Sequence, residues 1–207
     1  MASPYGSVLS VALSRSDWTE AALDAFARDG LQGVAIEPLA RRLGATKGSF
    51  YWHFIDRGEL IGAMLELWER GETTEVIAAI ETNPDPYARL AALGRGAYAG
   101  ASRGNAHAAA LAAASDPRVR PVLERVTQTR LAFLQHLYSD LGLGAEVAAR
   151  RARLAYALYI GIGELRRADP DTTINEPELE RSVDLAVEAM LPAALGGAAN
   201  PRGESRR

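Results

Sequence analysis

Cysteine is absent from this 207-residue chain. Its absence excludes a disulfide framework, a cysteine-ligated zinc site and a thiol nucleophile, and it agrees with a reducing compartment. Lysine is nearly absent: Lys47 is the only one among 23 basic residues. Aromatics make up only 7% of the chain. Uncharged runs stay short of the roughly 18 apolar residues that a membrane-spanning helix needs. The opening stretch MASPYGSVLSVALSR has no basic residue ahead of its apolar part, so it makes a poor signal peptide. The expected location is the cytoplasm, with no membrane partner. An excess of positive charge is missing as well. The net charge is -3, so any attraction for nucleic acid must come from a local patch. Walker loop, dinucleotide fingerprint and nucleophile elbow are all wanting. His107 and His136 stand far apart in sequence and make a weak metal pair. An enzyme is therefore not expected, and no catalytic residue, metal or cofactor is assigned.

What remains is ordinary globular material, 48% hydrophobic and 24% charged. Its punctuation is helical. Ser16 is placed to cap a first helix whose Trp18, Ala22, Ala25 and Phe26 recur at spacings of three and four, ending at Asp29-Gly30. Ile36, Leu39, Ala40 and Leu43 mark one face of a short second helix, with Pro38 in its first turn. Gly44 closes it. Thr46 then caps a third helix two residues later. Two short helices joined by a tight glycine-bearing turn have the form of a helix-turn-helix.

Into that third helix, GATKGSFYWHF, the chain crowds Phe50, Tyr51, Trp52 and Phe54, together with its one lysine. At about 100° per residue Phe50 and Phe54 share a face, and they are the expected core anchors. Gly48 and Trp52 point the opposite way, flanked by Lys47, Ser49, Tyr51 and His53. A helix this short cannot bury Phe50 and Trp52 against the same neighbour. Gly48 costs roughly 1 kcal/mol against alanine within a helix, which the close approach of another molecule offsets. From Pro38 to Arg57 the bases Arg41, Arg42, Lys47 and Arg57 face a single acid, Asp56. Lys, Arg, Ser and Tyr are the groups that contact DNA phosphates. One face is expected to hold the module together, and the other to meet DNA.

The run from Ala21 to Glu66 resembles the N-terminal DNA-binding domain of the tetracycline-repressor (TetR) family. FARDGL, IEPLARRLG, TKGSFYWHF and GELIGAMLE carry the likeness, in that order. The resemblance implies an all-α fold: an N-terminal three-helix helix-turn-helix domain joined to a helical ligand-binding and dimerisation domain. It implies groove or base contacts from Thr46, Lys47, Gly48 and Ser49. Phosphate contacts are implied for Tyr51, Trp52, His53 and Arg57. One departure stands out. Ala35 occupies a position where the family usually has Ser or Thr, leaving Glu37 and Pro38 to compensate at the start of the second helix.

Beyond Gly58 helices are expected at about 59–81, 86–101, 105–114, 117–140, 145–167 and 176–192. Asp85-Pro86 and Asp116-Pro117 are each read as a cap followed by a first-turn proline. The expected division is a 1–15 extension, a 16–56 DNA-binding domain, a 57–194 helical body and a disordered 195–207 tail. The last two long helices are the expected homodimer surface, through Leu154, Tyr159, Ile162, Leu179, Val183, Val187 and Met190; by resemblance they form a four-helix bundle. Trp68, Tyr87, Tyr98, His107, Phe133 and His136 are candidates to line a site for a small, largely apolar effector. Aromatics at helical spacing are also ordinary core material. The expected function is a ligand-responsive regulator, a repressor that binds a palindromic double-stranded operator as a dimer and is released by the small molecule. A ligand-independent regulator, an activator, or a helical interaction protein without DNA binding stands as the alternative.

Overall fold

The computed structural model describes residues 13–100 and 106–168, the side chains of 98–100 and 166 excepted. The fold is all-α. In chain order come α1 (Arg15–Asp29), a 3-10 turn (Gly30–Gln32), α2 (Ile36–Arg42), α3 (Lys47–Phe50) and α4 (Arg57–Glu69). A π-helical turn (Arg70–Thr74) leads into α5 (Glu75–Glu81), followed by α6 (Pro86–Gly100), α7 (Ala106–Ala112), α8 (Val119–Asp140) and α9 (Ala145–Ala168). The expected 176–192 helix, the 195–207 tail and most of the 1–15 extension lie outside the described residues.

Caps decide where these helices begin. α1 starts earlier than Ser16 would have it, because Ser14 and Asp17 close a reciprocal capping box. The Ser16 hydroxyl merely joins that of Ser14 at 2.8 Å. α2 begins at Ala35 with no side-chain cap. Thr46 caps α3 by accepting from the Ser49 N–H at 3.1 Å, as its position in the sequence implies. The α2–α3 turn bends at Gly44, whose φ of 65° lies in the left-handed region that suits glycine. Asp85 accepts from the Tyr87 N–H at 3.0 Å at the head of α6. Asp116 behaves differently from the sequence expectation. It grips Arg118 through both backbone and guanidinium, so α8 starts at Val119 rather than at Pro117.

The expected break between residues 56 and 57 is not a break in the core. Trp18, Phe26, Phe50 and Phe54 pack in one cluster with Leu60, Ile61, Met64, Leu65 and Trp68 of α4. The same cluster takes in Ala106 and Ala110 of α7 and Val119, Leu123 and Val126 of α8. A second cluster joins Leu90 and Ala91 to Leu134, Tyr138, Ala148, Ala152, Ala155 and Tyr156. The three-helix head is thus clamped to the body by apolar burial, the dominant favourable term in folding.

Candidate nucleic-acid interface

Four residues of regular helix suffice to build α3, and the chain then tightens. Tyr51 N–H donates to the Gly48 carbonyl at 3.2 Å and Trp52 N–H to that of Ser49 at 3.3 Å, each an i→i+3 bond. The helix therefore stops short of Phe54, where continuous helix had been expected. Two contacts reverse the chain there: Asp56 caps α4 by accepting from Glu59 N–H at 2.9 Å, and Glu59 accepts from Ile55 N–H at 2.7 Å. The facing survives this tightening. Phe50 and Phe54 are buried, their rings stacked 5.4 Å apart, and Phe50 meets Trp18 edge-on at 5.4 Å.

The opposite face is open. Trp52 is 88% exposed and Tyr51 is 52% exposed, with Thr46, Lys47 and Gly48 exposed beside them. A Cβ added at Gly48 meets only the Thr46 hydroxyl at 3.6 Å. Nothing among the described residues requires glycine there. Ser49 and His53 are half-buried at the edge of the ridge. Arg57 departs from the expected phosphate contact. Its guanidinium donates to the Val34 carbonyl at 2.5 Å and to that of Leu31, stapling α4 to the α1–α2 connection. A carbonyl has two lone pairs, so that of Leu31 accepts from the Val34 N–H at 3.3 Å and from the arginine as well.

Charge on this face is balanced more finely than the base count suggested. Lys47 Nζ lies 3.2 Å from a Glu37 carboxylate oxygen, and Arg42 pairs with Asp24 at 2.6 Å. Glu37 thus compensates for Ala35 by no capping bond. Its carboxylate turns to α3 instead. Arg15, which the sequence did not single out, lies over the Phe54 ring at 4.1 Å, pairs with Glu59 at 2.9 Å and donates to the His53 carbonyl. It locks α1 to the α3–α4 junction.

In the body the effector candidates separate. Trp68 and His107 come together, with ring centres 5.9 Å apart, and both are buried. Around His107 gather Tyr156, Tyr159 and Arg130, whose Nη1 is 3.5 Å from the histidine Nδ1. Arg130 also holds the π-helical turn through Thr73 Oγ1 and the Glu72 carbonyl, both at 2.9 Å. Glu72 accepts from the Trp68 indole at 3.0 Å, and burial raises its carboxyl above the usual range. Tyr87 and His136 are exposed, the latter 3.7 Å from Asp140, so neither joins this cluster. Phe133 is buried on α8, outside these ring contacts. The Tyr98 side chain lies outside the described residues. Arg130, Glu72 and Tyr156 were not foreseen, because only the folded chain brings Arg130 and Tyr156 beside His107 and joins Glu72 to Arg130.

The expected dimer residues divide in the same way. Tyr159 belongs to the His107 cluster rather than to an outer face, since the α9 turn carrying it faces α7. Ile162 is half-buried. Leu154 is 68% exposed and stands in line with exposed Val147, Leu158 and Leu165. Separations of 7, 4 and 7 residues put these four on one stripe of α9. That stripe was legible in the sequence as apolar residues at helical spacing. Leu179, Val183, Val187 and Met190 lie outside the described residues.

Residues 19–64 match the model of the family described as bacterial regulatory proteins, tetR family. Over 60 residues the chain is 32% identical to the HTH-type transcriptional regulator AcrR of Shigella flexneri, covering 29% of this chain and 26% of that one. Over 46 residues it is 37% identical to the HTH-type transcriptional regulator SrpR of Pseudomonas putida, 22% of each. The chain thus spans about a quarter of the length of the curated relatives it matches. Among solved structures, the TetR-family regulator SCO4454 from Streptomyces coelicolor superposes with a TM-score of 0.69 at 24% identity, covering 85% of this chain and 87% of that one. The reduced form of E. coli NemR also gives 0.69, at 16% identity, over 86% and 97%. These structures share the fold. Residues 19–64 are thus similar to the tetR family, and the solved structures add the likeness of fold.

Proposed function

We propose that this protein is a DNA-binding transcriptional regulator that docks as a homodimer on a palindromic operator, represses, and is released by a small, largely apolar effector. The observation that carries the reading is the two-faced α3, with Phe50 and Phe54 in the core and Lys47, Gly48, Tyr51 and Trp52 open to a partner. Thr46 and Ser49 complete the groove contacts, while Tyr51, Trp52 and His53 meet phosphates. The cytoplasm is the natural site for this activity. No described helix is long and apolar enough to cross a membrane. The test is a mobility-shift titration against duplexes selected from a random pool. Binding should fall with a log–log salt slope near -0.9 per phosphate neutralised. A salt-independent interaction, or none, retires the reading.

One α3 binds weakly alone. A two-fold pair of heads reaches two major grooves about 34–36 Å apart, or a multiple of that distance. The α9 stripe of Val147, Leu154, Leu158 and Leu165 supports pairing there, because an aligned apolar row on a helix gains by being covered. Sedimentation at micromolar concentration should give a dimer. Leu154→Glu combined with Leu165→Glu should give a folded monomer whose operator affinity has collapsed. A stable monomer for the unaltered chain overturns the pairing.

An effector site beside Trp68 and His107 is supported by the aromatic and polar groups gathered there. α7 carries His107 into that cluster and Ala106 and Ala110 into the core of the head. A ligand can shift DNA affinity only as far as it binds the two arrangements differently, and the effect is reciprocal. A ligand found by thermal-shift screening should weaken operator binding by the same factor by which the operator weakens ligand binding. Tight ligand binding that leaves operator affinity unchanged at fixed salt removes the switch.

A further inference from the structure

Glu37 is out of place on a surface that is to meet DNA. Duplex DNA carries about one negative charge per 1.7 Å of axis, so a carboxylate on the docking face opposes association. Here it stands in the first turn of α2, well exposed, with Oε1 at 3.2 Å from the ammonium of Lys47 in the first turn of α3. An exposed pair of this kind stabilises a fold little. What the pair offers is information: a donor and an acceptor side by side at the opening of the helix-turn-helix, with no net charge to spend on phosphates.

We propose that Glu37 and Lys47 act together as a specificity-determining pair that reads one G·C base pair in the major groove. The inference rests on the reading of α2–α3 as a DNA surface. A G·C pair shows guanine N7 and O6 as adjoining acceptors and the cytosine amino group as the neighbouring donor. Guanine O6 and the cytosine amino nitrogen are themselves hydrogen-bonded, hence about 2.9 Å apart, close to the spacing of the protein pair. The ammonium has three donors, so it can serve both guanine acceptors while the carboxylate takes the cytosine amino proton. An A·T pair places its donor between two separated acceptors, and the thymine methyl crowds the second of them. The lysine would then lose one of its two acceptors.

The experiment is an affinity profile of the full chain over an operator in which each base pair is changed in turn, with random duplex as reference. The wild type should prefer G·C at one position of each half-site by roughly tenfold or more. Glu37→Ala should erase the preference at that position alone, while binding to random duplex strengthens because a negative charge has left the face. Lys47→Ala should erase the same preference, and the double variant should lose no more of it. Glu37→Gln, which keeps the shape, should shift the preference toward adenine, the base that Gln reads. An unchanged profile in Glu37→Ala overturns the proposal. So does a uniform loss of affinity with the profile intact, since the carboxylate would then only position Lys47. A wild-type preference for A·T at that position overturns it too. Failure of the wild type to bind any duplex retires the DNA-binding reading itself, a result distinct from the other three.

Discussion

Phe50→Ala is expected to destabilise the protein by about 3–5 kcal/mol, the usual range for emptying a buried phenylalanine site. That is a large share of the roughly 5–15 kcal/mol that keeps a domain folded. The site has little freedom to collapse. Phe50 is wholly buried among Trp18, Phe54 and the partly turned-in Tyr51 ring at 5.2 Å, within a cluster that also holds α4, α7 and α8. Loosening it therefore disturbs the body as well as the head, and a single cooperative transition should move to lower denaturant. Trp52→Ala and Tyr51→Ala should behave in the reverse manner. Trp52 is almost fully exposed, so its removal should leave the unfolding curve within about 0.5 kcal/mol of the wild type, as for most surface substitutions. Operator binding should nevertheless drop sharply. Denaturant melts of the three variants beside their mobility shifts decide the matter. An unfolded Trp52→Ala beside an intact Phe50→Ala would reverse the assigned facing of α3.

The pattern within α3 shows why this much was readable from residues alone. Helical facing depends on local angles, and Phe50, Trp52 and Phe54 fall where 100° per residue puts them even though the helix tightens after Phe50. Body helices at 86–100, 106–112, 119–140 and 145–168 lie close to their expected bounds, since the Asp85-Pro86 cap and glycine-bearing turns act within a few residues. Longer-range facts were not accessible in this way. Arg57 carries the charge of a phosphate ligand, yet its fork turns to the carbonyls of Leu31 and Val34, more than 20 positions away. Ser16 lost the cap to Ser14 because a second partner, Asp17, completes the box only from there. Tyr159 looked outward on a stretch of small residues, and the α7–α9 packing turned it in. The π-helical turn at 70–74 leaves no signature in Arg70–Thr74. It is fastened by Arg130, which lies more than 50 positions further on.

Acid should weaken the fold through His107. The residue is 2% exposed, and its ring sits among Trp68 of α4, Tyr156 and Tyr159 of α9, and Arg130 of α8, with Glu72 of the π-helical turn close by. Burial is the larger cause, and the charge of Arg130 the second, of a pKa held down to about 3 from an ordinary 6.5. In the folded protein the imidazole therefore stays neutral where the unfolded chain would protonate it. Between about pH 6.5 and pH 3 the unfolded state binds one more proton at this site, so stability present above 6.5 is lost on acidification. The slope for one proton is about 1.4 kcal/mol per pH unit, so the loss between pH 6.5 and 4.5 is on the order of 2–3 kcal/mol. Glu72, whose carboxyl is raised by burial, acts in the opposite sense above its usual value and shallows the total slope. Carboxylates held low by their partners, Glu59 and Glu69 among them, contribute only below about pH 4.5. A comparison with His107→Gln and His107→Phe isolates the histidine, because every other group is shared. Denaturant melts from pH 7.5 to 4.5 should show wild-type stability falling toward that of the variants as the pH drops. Parallel pH profiles for all three proteins would mean that His107 takes up its proton within the folded state, and that the cluster around it opens to water.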